Sequence, residues 1–216
     1  MIKKIYPLLL VFLLSISTKV IAQEIYLETG KTVSSFDYKN SQGITLDNLQ
    51  ASSHNYISAG YSHPIFTDKL KLSLGASYAG YGAIGSDDAL GNRMKWDINY
   101  LEFILGLNYT VVQINTVSLY VRGAASVGFL LQGTQTFNNK IIDLKGKDDF
   151  DKALRDFRVG GGLQIYASDK LTFYIQYMYG KTLSNTSDSN QAEDKEVLRI
   201  QSSTISLGVA IQLFKK

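Results

Sequence analysis

The feature that most constrains the fold is a strict two-residue alternation of side-chain type near the end of the chain. Large apolar residues stand at every second position from Ile205 to Leu213. The positions between them carry small or polar residues, among them Ser206, Gly208 and Gln212. Because successive side chains of a β-strand point to opposite faces, this segment predicts a strand with one apolar and one polar face.

The same alternation recurs in seven earlier segments. They begin near residues 25, 57, 70, 101, 117, 157 and 171. In each one, an apolar face opposes a face rich in Gly, Ser, Gln, Asn and Tyr. Ile104 and Leu130 interrupt the pattern by falling on the polar face, and Lys31 falls on the apolar face of the first segment. A bulge, or an early exit from a membrane if the strands cross one, would explain Lys31.

Residues 1–22 predict a secretory signal peptide. Lys3 and Lys4 form a basic start, and an almost wholly apolar stretch follows over residues 5–16. This stretch of about 12 residues is shorter than the roughly 20 residues that a transmembrane helix needs. We therefore expect export and cleavage after Ala22, which leaves one domain over residues 23–216.

Composition excludes several classes of function. The chain has no cysteine, so a disulfide framework, a thiolate metal site and a cysteine nucleophile are excluded. Three of the 22 basic residues lie in the first 22 positions, and the remainder equals the 19 acidic residues. A balanced chain of this kind does not predict a nucleic-acid partner, which would need a clustered basic surface.

The connections between the segments alternate in length. Short links are predicted near residues 66–69, 112–116 and 168–170. Long polar links are predicted near residues 37–53, 83–95, 133–155 and 184–199. If the chain starts on the periplasmic side, every short link is periplasmic and every long link is extracellular, which is the pattern of outer-membrane barrels.

The composition of the two faces indicates which one meets lipid. The polar face is poor in Lys and Glu and would be a poor coat in bulk water, but it suits a crowded lumen. The continuous apolar face suits hydrocarbon, where an open sheet edge would leave backbone groups unpaired at several kcal/mol each. We therefore predict an all-β fold, a closed antiparallel up-and-down transmembrane β-barrel of about eight strands.

Five charged residues fall on the predicted inward face. They are Glu28, Lys71, Glu102, Arg122 and Arg158. An uncompensated buried charge is costly, so we expect these side chains to pair in an ionic network that plugs the lumen. The alternative is that some of them face water at the lumen mouths.

In its strand pattern and its alternation of short and long links, the chain resembles the eight-stranded outer-membrane barrels of the OmpA-barrel and OmpX type. The resemblance covers essentially the whole chain after residue 22. The pattern Ser206-x-Gly208-x-x-Ile211-x-Leu213 is similar to the signal that the barrel-insertion machinery reads in the last strand. Such chains often end in an aromatic residue, whereas here Phe214 precedes two lysines.

A narrower resemblance links the chain to PorT-like proteins of the outer membrane protein beta-barrel domain group. It rests on Tyr100-Leu101-Glu102, although the proline that often follows soon after is missing. The resemblance implies an accessory role in secretion or envelope assembly. The group shares no catalytic residues, so the resemblance implies none for this chain.

Motifs that carry chemistry are few. His54 lies near the predicted outer rim beside Ser52 and Ser53, and His63 precedes Pro64 at the periplasmic end. The residues of a catalytic triad come from separated segments of a chain, so serines adjacent to His54 are poorly placed to act as its nucleophile. We therefore interpret His54 as a rim residue and not a general base.

Two further motifs are interpreted as structural. Gly160-Gly161-Gly162 lies inside a strand pattern, unlike a phosphate loop, which lies between a strand and a helix. The acidic run from Asp148 to Asp151 lacks the spacing of a calcium loop. No catalytic, cofactor-binding or metal-binding residue is predicted, and no cofactor.

The sequence therefore predicts a non-enzymatic integral protein of the outer membrane. An eight-stranded barrel has little room beyond its own side chains, so a diffusion porin is not expected. The expected partners are outer-membrane lipid, the barrel-insertion machinery through the last strand, and a surface ligand bound through the four long loops. The alternatives are the accessory role in secretion or envelope assembly, and a lipid-modifying enzyme that uses His54.

Overall fold

The computed structural model describes residues 23–39, 49–87, 92–145, 153–183 and 197–213. The predicted signal peptide, residues 1–22, lies outside these ranges, as does the acidic run from Asp148 to Asp151. A search of the described ranges for a helix long and apolar enough to cross a membrane finds none.

Nine strands make up the described structure, eight of them long and one short. Their bounds are β1 Glu24–Lys39, β2 Gln50–Pro64, β3 Leu70–Asp87, β4 Asn92–Ile114, β5 Val117–Phe137, β6 Lys140–Asp143, β7 Leu154–Tyr166, β8 Leu171–Thr182 and β9 Val197–Gln212. The short strand, β6, folds back on the outer end of β5 as a β-hairpin.

The eight long strands close on themselves. Each pairs antiparallel with the next long strand along the chain, and β1 pairs antiparallel with β9 to complete the ring. The predicted fold class, a closed antiparallel up-and-down barrel, is therefore confirmed. Closure leaves no sheet edge in hydrocarbon, where unpaired backbone groups would be costly.

The two faces of the strands divide as the alternation predicts. Outward side chains are large, apolar and about half exposed, for example Leu27 at 54% and Phe103 at 56%. Inward side chains are small or polar and buried, for example Glu28 at 1% and Ser206 at 1%. An apolar exterior around a polar interior is the arrangement that a lipid bilayer stabilises.

The exceptions in the pattern have local explanations. The registers of β1 with β2 and β9 run without a break past Lys31, so there is no bulge at this residue. The Lys31 Nζ donates to the Asn55 Oδ1 at 2.7 Å in an exposed position, which marks the end of the apolar band on β1 and β2. Ile104 packs inside the lumen with Ala124 and Met178.

Several strands are far longer than a membrane crossing requires. A crossing takes about 9–11 residues, whereas β3 has 18, β4 has 23 and β5 has 21. The outward residues of β4 change from apolar to polar beyond Leu101, at Asn99 and Asp97. The outer parts of β3, β4 and β5 therefore continue as a sheet above the apolar band, which we call the outer extension.

The outer extension corrects the predicted link lengths. Residues 83–95 were predicted as a long link, but β3 and β4 occupy most of this range and leave only residues 88–91 between them. The predicted link 133–155 contains the end of β5 and all of β6. The error arose because the alternation of apolar residues stops at the membrane surface, while backbone pairing continues beyond it.

A charge placed on the outward face tests the membrane depth of the barrel. Leu105, which is 50% exposed, lies in the middle of the apolar band on β4, whereas Ile114 ends the strand beside a short link. We expect Leu105→Arg to lower the free energy of unfolding from lipid vesicles by about 2–4 kcal/mol, and Ile114→Arg by at most about 1 kcal/mol. Equal losses in urea titrations of the two variants would contradict this assignment of depth.

Candidate functional site

The most densely bonded polar site lies at mid-lumen. The Nη2 of Arg158 on β7 donates to both carboxylate oxygens of Glu102 on β4, at 2.7 Å each. Tyr81 and Ser77 on β3 donate to the same carboxylate at 2.5 and 2.8 Å. The Arg158 Nε donates to Asp156, a buried carboxylate on the same strand. We call these five residues the central cluster.

The second lumen carboxylate is held by neutral donors. Glu28 accepts hydrogen bonds from the hydroxyls of Tyr56 and Tyr174 at 2.9 and 3.1 Å, and from the Gln176 Nε2 at 2.7 Å. Its side chain is almost fully buried. Three neutral donors from β2 and β8 thus satisfy both oxygens of this carboxylate, as a buried polar group requires.

The remaining two predicted residues lie apart from the central cluster. The Arg122 guanidinium stacks over the Tyr26 ring, with 5.8 Å between its carbon and the ring centroid. Lys71 pairs with Glu24 at 2.7 Å near the periplasmic mouth, where each side chain is 14% exposed. Of the five predicted residues, the structure thus joins Glu102 directly to Arg158 and places Glu28, Arg122 and Lys71 in other surroundings.

Sequence reasoning missed the neutral partners and one carboxylate of the lumen. These residues are Asp156, Tyr81, Tyr56, Tyr174 and Gln176. Asp156 was detectable, because it stands two residues before Arg158 and therefore on the same face of β7. Tyr56 and Tyr174 were assigned to the inward face, but nothing in the alternation shows which carboxylate each hydroxyl contacts across the lumen.

Above the central cluster the lumen is filled by large side chains. This outer cluster comprises Phe36, Tyr56, Ala79, Tyr81, Ala83, Trp96, Ile98, Tyr100, Leu144 and Ile200. Leu144, which follows β6, reaches it from the outer hairpin and is only 2% exposed. Below it, the cavity between Arg122 and Arg158 measures only about 10 Å³, roughly the space of one water.

The two histidines lie at opposite ends of β2. His63 stacks on Tyr61 at the periplasmic end, with 6.5 Å between ring centroids. His54 lies beyond the Lys31–Asn55 contact, above the apolar band, and its ring is largely buried. Burial lowers the pKa of His54 from its ordinary value, so the imidazole is neutral near pH 7.

The position of Ser52 departs from the sequence interpretation. Its Oγ lies 2.7 Å from the His54 Nε2, although the adjacent serines were expected to be poorly placed. A two-residue separation within one strand places both side chains on the same side of the backbone, which allows this contact. The glycines at 160–162 lie inside β7 between β5 and β8, as predicted. No group of three potential metal-ligating side chains occurs in the described part of the chain.

Removal of the Glu102 carboxylate tests the central cluster. Glu102→Leu leaves the buried Arg158 with Asp156 as its remaining anionic contact, and breaking a buried ion pair costs about 3–5 kcal/mol. Lys71→Leu, at the lumen mouth, is the matched control and is expected to cost about 1 kcal/mol. If urea titration of the folded barrels gave equal losses for both variants, the central cluster would have no special role in stability.

Comparison with known proteins places this geometry in a family. A family model described as "Outer membrane protein beta-barrel domain" matches residues 21–188. The comparison with curated protein sequences gives no significant match.

Solved structures share the architecture at low sequence identity. OprG from Pseudomonas aeruginosa is 16% identical over 90% of this chain and 97% of its own, with a TM-score of 0.54. Neisserial surface protein A is 10% identical over 88% and 97% of the two chains, with a TM-score of 0.48. The protease OmpT from Escherichia coli is 6% identical over 89% and 97%, with a TM-score of 0.49. Such identities concern the fold alone; by the family match, the chain belongs to the outer membrane protein beta-barrel domain family and is a protein of the outer membrane.

Proposed function

We propose that this protein is a non-conducting outer-membrane barrel that acts at the cell surface through its outer extension. The observation that carries the proposal is the filled lumen. An eight-stranded barrel is only wide enough for its own side chains, and here those side chains also bond across the interior. Transport of a solute through the barrel is therefore not the function that the geometry supports.

The filling occupies successive levels of the lumen. The outer cluster, with Ile98 and Ala83 fully buried, fills the upper level. The ion pair of Glu102 and Arg158 lies below it, and the hydrogen bonds of Glu28 join β1, β2 and β8 across the interior. Opening a path would expose buried charges and aromatic rings together, which makes spontaneous opening unfavourable.

The outer extension has the features of a binding surface. Its inward side is packed against the outer cluster, and the Leu144 N–H donates to the Gly133 carbonyl at 2.9 Å, which ties the β6 hairpin to β5. Its outward side carries polar residues such as Asn99 and Asp97 on a rigid sheet. Binding residues concentrate where a rigid scaffold meets solvent, so a surface ligand would bind to the outward side of the outer extension.

Exposed cations on the outward face favour outer-leaflet lipid as one partner. Lys31, Lys95, Arg155 and Lys181 are exposed and project outward from β1, β4, β7 and β8 at or beyond the outer border of the apolar band. We call them the basic belt. Each cation near an anionic membrane surface contributes about 1 kcal/mol of binding. The basic belt would contact phosphate groups of the outer leaflet.

Recognition of β9 by the barrel-insertion machinery stays a prediction. The structure adds a packing reason for one residue of the motif, because a Cβ at Gly208 would lie 2.1 Å from the Cζ of Tyr174. Tyr174 in turn bonds Glu28, so Gly208 makes room for a ring that holds a lumen carboxylate.

Conductance measurements test the filled lumen. The purified protein is folded in planar lipid bilayers at about 1 M KCl, where charges are screened beyond about 3 Å. We expect it to give no stepwise channel currents. Folding is verified by the gel shift between unheated and heated samples. Stable open-channel currents from the folded wild-type protein would overturn the proposal that the barrel is non-conducting.

Vesicle binding tests the basic belt. Vesicles that contain lipid A phosphates are expected to raise the unfolding temperature of the wild-type barrel above its value in phosphatidylcholine vesicles. The combined variant Lys31→Gln, Lys95→Gln, Arg155→Gln and Lys181→Gln should lose most of this increase. Lys69→Gln with Lys170→Gln, at the periplasmic links, is the control and should retain it. An equal increase in both variants would show that the belt does not bind the phosphates.

A further inference from the structure

Three side chains above the apolar band stand in the order of a nucleophile, a base and an orienting acid. The Ser52 Oγ lies 2.7 Å from the His54 Nε2, and the His54 Nδ1 lies 3.6 Å from the Asp97 Oδ1. The Asn99 Nδ2 donates to the same Asp97 oxygen at 3.4 Å. Nucleophile–base–acid sets are recognised by such contacts and not by sequence order, and they are often looser without a ligand.

A bulge in β2 brings these residues together. The register of β2 with β3 jumps from Ala51↔Ala83 to Tyr56↔Ala79, so four residues of β2 stand opposite three of β3. Ser34 on β1 compensates for the interruption: its Oγ donates to the Gly82 carbonyl at 3.0 Å and accepts from the Gly82 N–H at 2.8 Å. The extra residue allows the side chains of the bulge to leave the inward alternation.

The site lies on the outside of the barrel. Tyr81 is buried in the lumen, so its neighbours Gly80 and Gly82 face outward. A Cβ at Gly80 would lie 2.7 Å from the His54 Cβ, and a Cβ at Gly82 would lie 2.5 Å from its Nε2 and 2.8 Å from the Ser52 Oγ. His54 and Ser52 therefore lie over the exterior of β3, where the two glycines leave room for the imidazole.

Asp97 reaches the same exterior surface from β4. Its neighbours Trp96 and Ile98 are buried in the outer cluster, so Asp97 faces outward, and its side chain is 46% exposed. The triad members thus come from two strands, β2 and β4, and meet across the face of β3. Lys31 and Lys95 are charged neighbours of His54 and add positive potential at this site.

The height of the site matches the level of lipid headgroups. Tyr78 and Leu101 are paired residues of β3 and β4, and both present exposed apolar side chains outward. The His54 Cβ lies over Gly80, two residues beyond Tyr78 and therefore about 7 Å further along the tilted strand at about 3.3 Å per residue. An acyl chain lying against Tyr78 and Leu101 would place its polar end beside Ser52.

We propose that Ser52, His54 and Asp97 form a hydrolytic site for ester-linked acyl chains of outer-leaflet lipids. The substrate class follows from the position: the site faces outward at the boundary between apolar and polar surface, with cations beside it. Ester groups join acyl chains to polar headgroups at this boundary. The site goes beyond the proposed surface-binding role, because it assigns a reaction to the surface where β2 lies over the outer extension.

The reaction balances with water as the only co-reactant. The Ser52 Oγ attacks the ester carbonyl as the His54 Nε2 accepts the hydroxyl proton, and Asp97 stabilises the imidazolium. The bond to the headgroup alcohol breaks, His54 returns the proton to the leaving oxygen, and an acyl ester remains on Ser52. Water, deprotonated by His54, then attacks this ester; the bond to the Ser52 Oγ breaks, His54 returns the proton to that oxygen, and a free fatty acid leaves.

Covalent labelling identifies the nucleophile. The folded full-length protein in detergent micelles is treated with a fluorophosphonate, which phosphonylates activated serines, and the labelled peptide is located by mass spectrometry. We expect labelling at Ser52, its loss in Ser52→Ala, and at least a ~100-fold slower reaction in His54→Ala, the lower limit for loss of a general base. Ser53→Ala is the matched control, because Ser53 is exposed and adjacent in β2, and it should label like wild type.

Product analysis identifies the lipid. The wild-type barrel is placed in vesicles of either lipid A or phosphatidylethanolamine, and released fatty acid is measured by mass spectrometry. Release from either vesicle type that requires Ser52 and His54 supports the site and names the source of the ester. Asp97→Asn should lower the rate and leave the barrel's gel shift unchanged. Failure of folded wild-type protein both to label and to release fatty acid would overturn the proposal.

Discussion

Closure of the sheet is the constraint on which the rest of the structure depends. A strand in hydrocarbon has no water to satisfy its N–H and C=O groups, so β1 must pair with β9 to remove the last open edge. With eight strands, closure leaves an interior that side chains fill. The polar residues that alternation turns inward must then satisfy one another, and this requirement produces the central cluster and the hydrogen bonds of Glu28.

The facing of each residue could be predicted from the sequence because it depends on a two-residue period. Leu27, Phe103 and Leu207 were assigned outward and Glu28 and Glu102 inward, as the structure has them. Which side chains meet across the lumen depends on the shear of the barrel and on the strand register. The two-residue alternation of the sequence carries no information about either. The contact of Glu102 with Arg158, 56 residues apart, was therefore expected only as pairing within a set of five charges.

Two features escaped prediction for a common reason: apolar alternation ends at the membrane surface. Beyond it, β3 and β4 remain paired through Asp87 and Asn92, although the outward residues of β4 there, such as Asn99 and Asp97, are polar. The bulge at 52–55 lies in the same region, where one extra residue changes the facing of its neighbours. Ser52 and His54 were consequently judged by their adjacency in sequence and not by the strand surface they cover.

The bulge in β2 has a consequence for how barrels acquire new surfaces. In a closed sheet, successive residues of a strand point alternately to the lipid and to the lumen. The even-numbered residues of β2 would therefore point to the interior. One additional residue, with Ser34 supplying the missing backbone bonds to β3, moves a histidine to the exterior and leaves the register of β1 with β2 unbroken. Insertion of a single codon is thus enough to bring reactive groups to the outer surface of a barrel whose interior is already full.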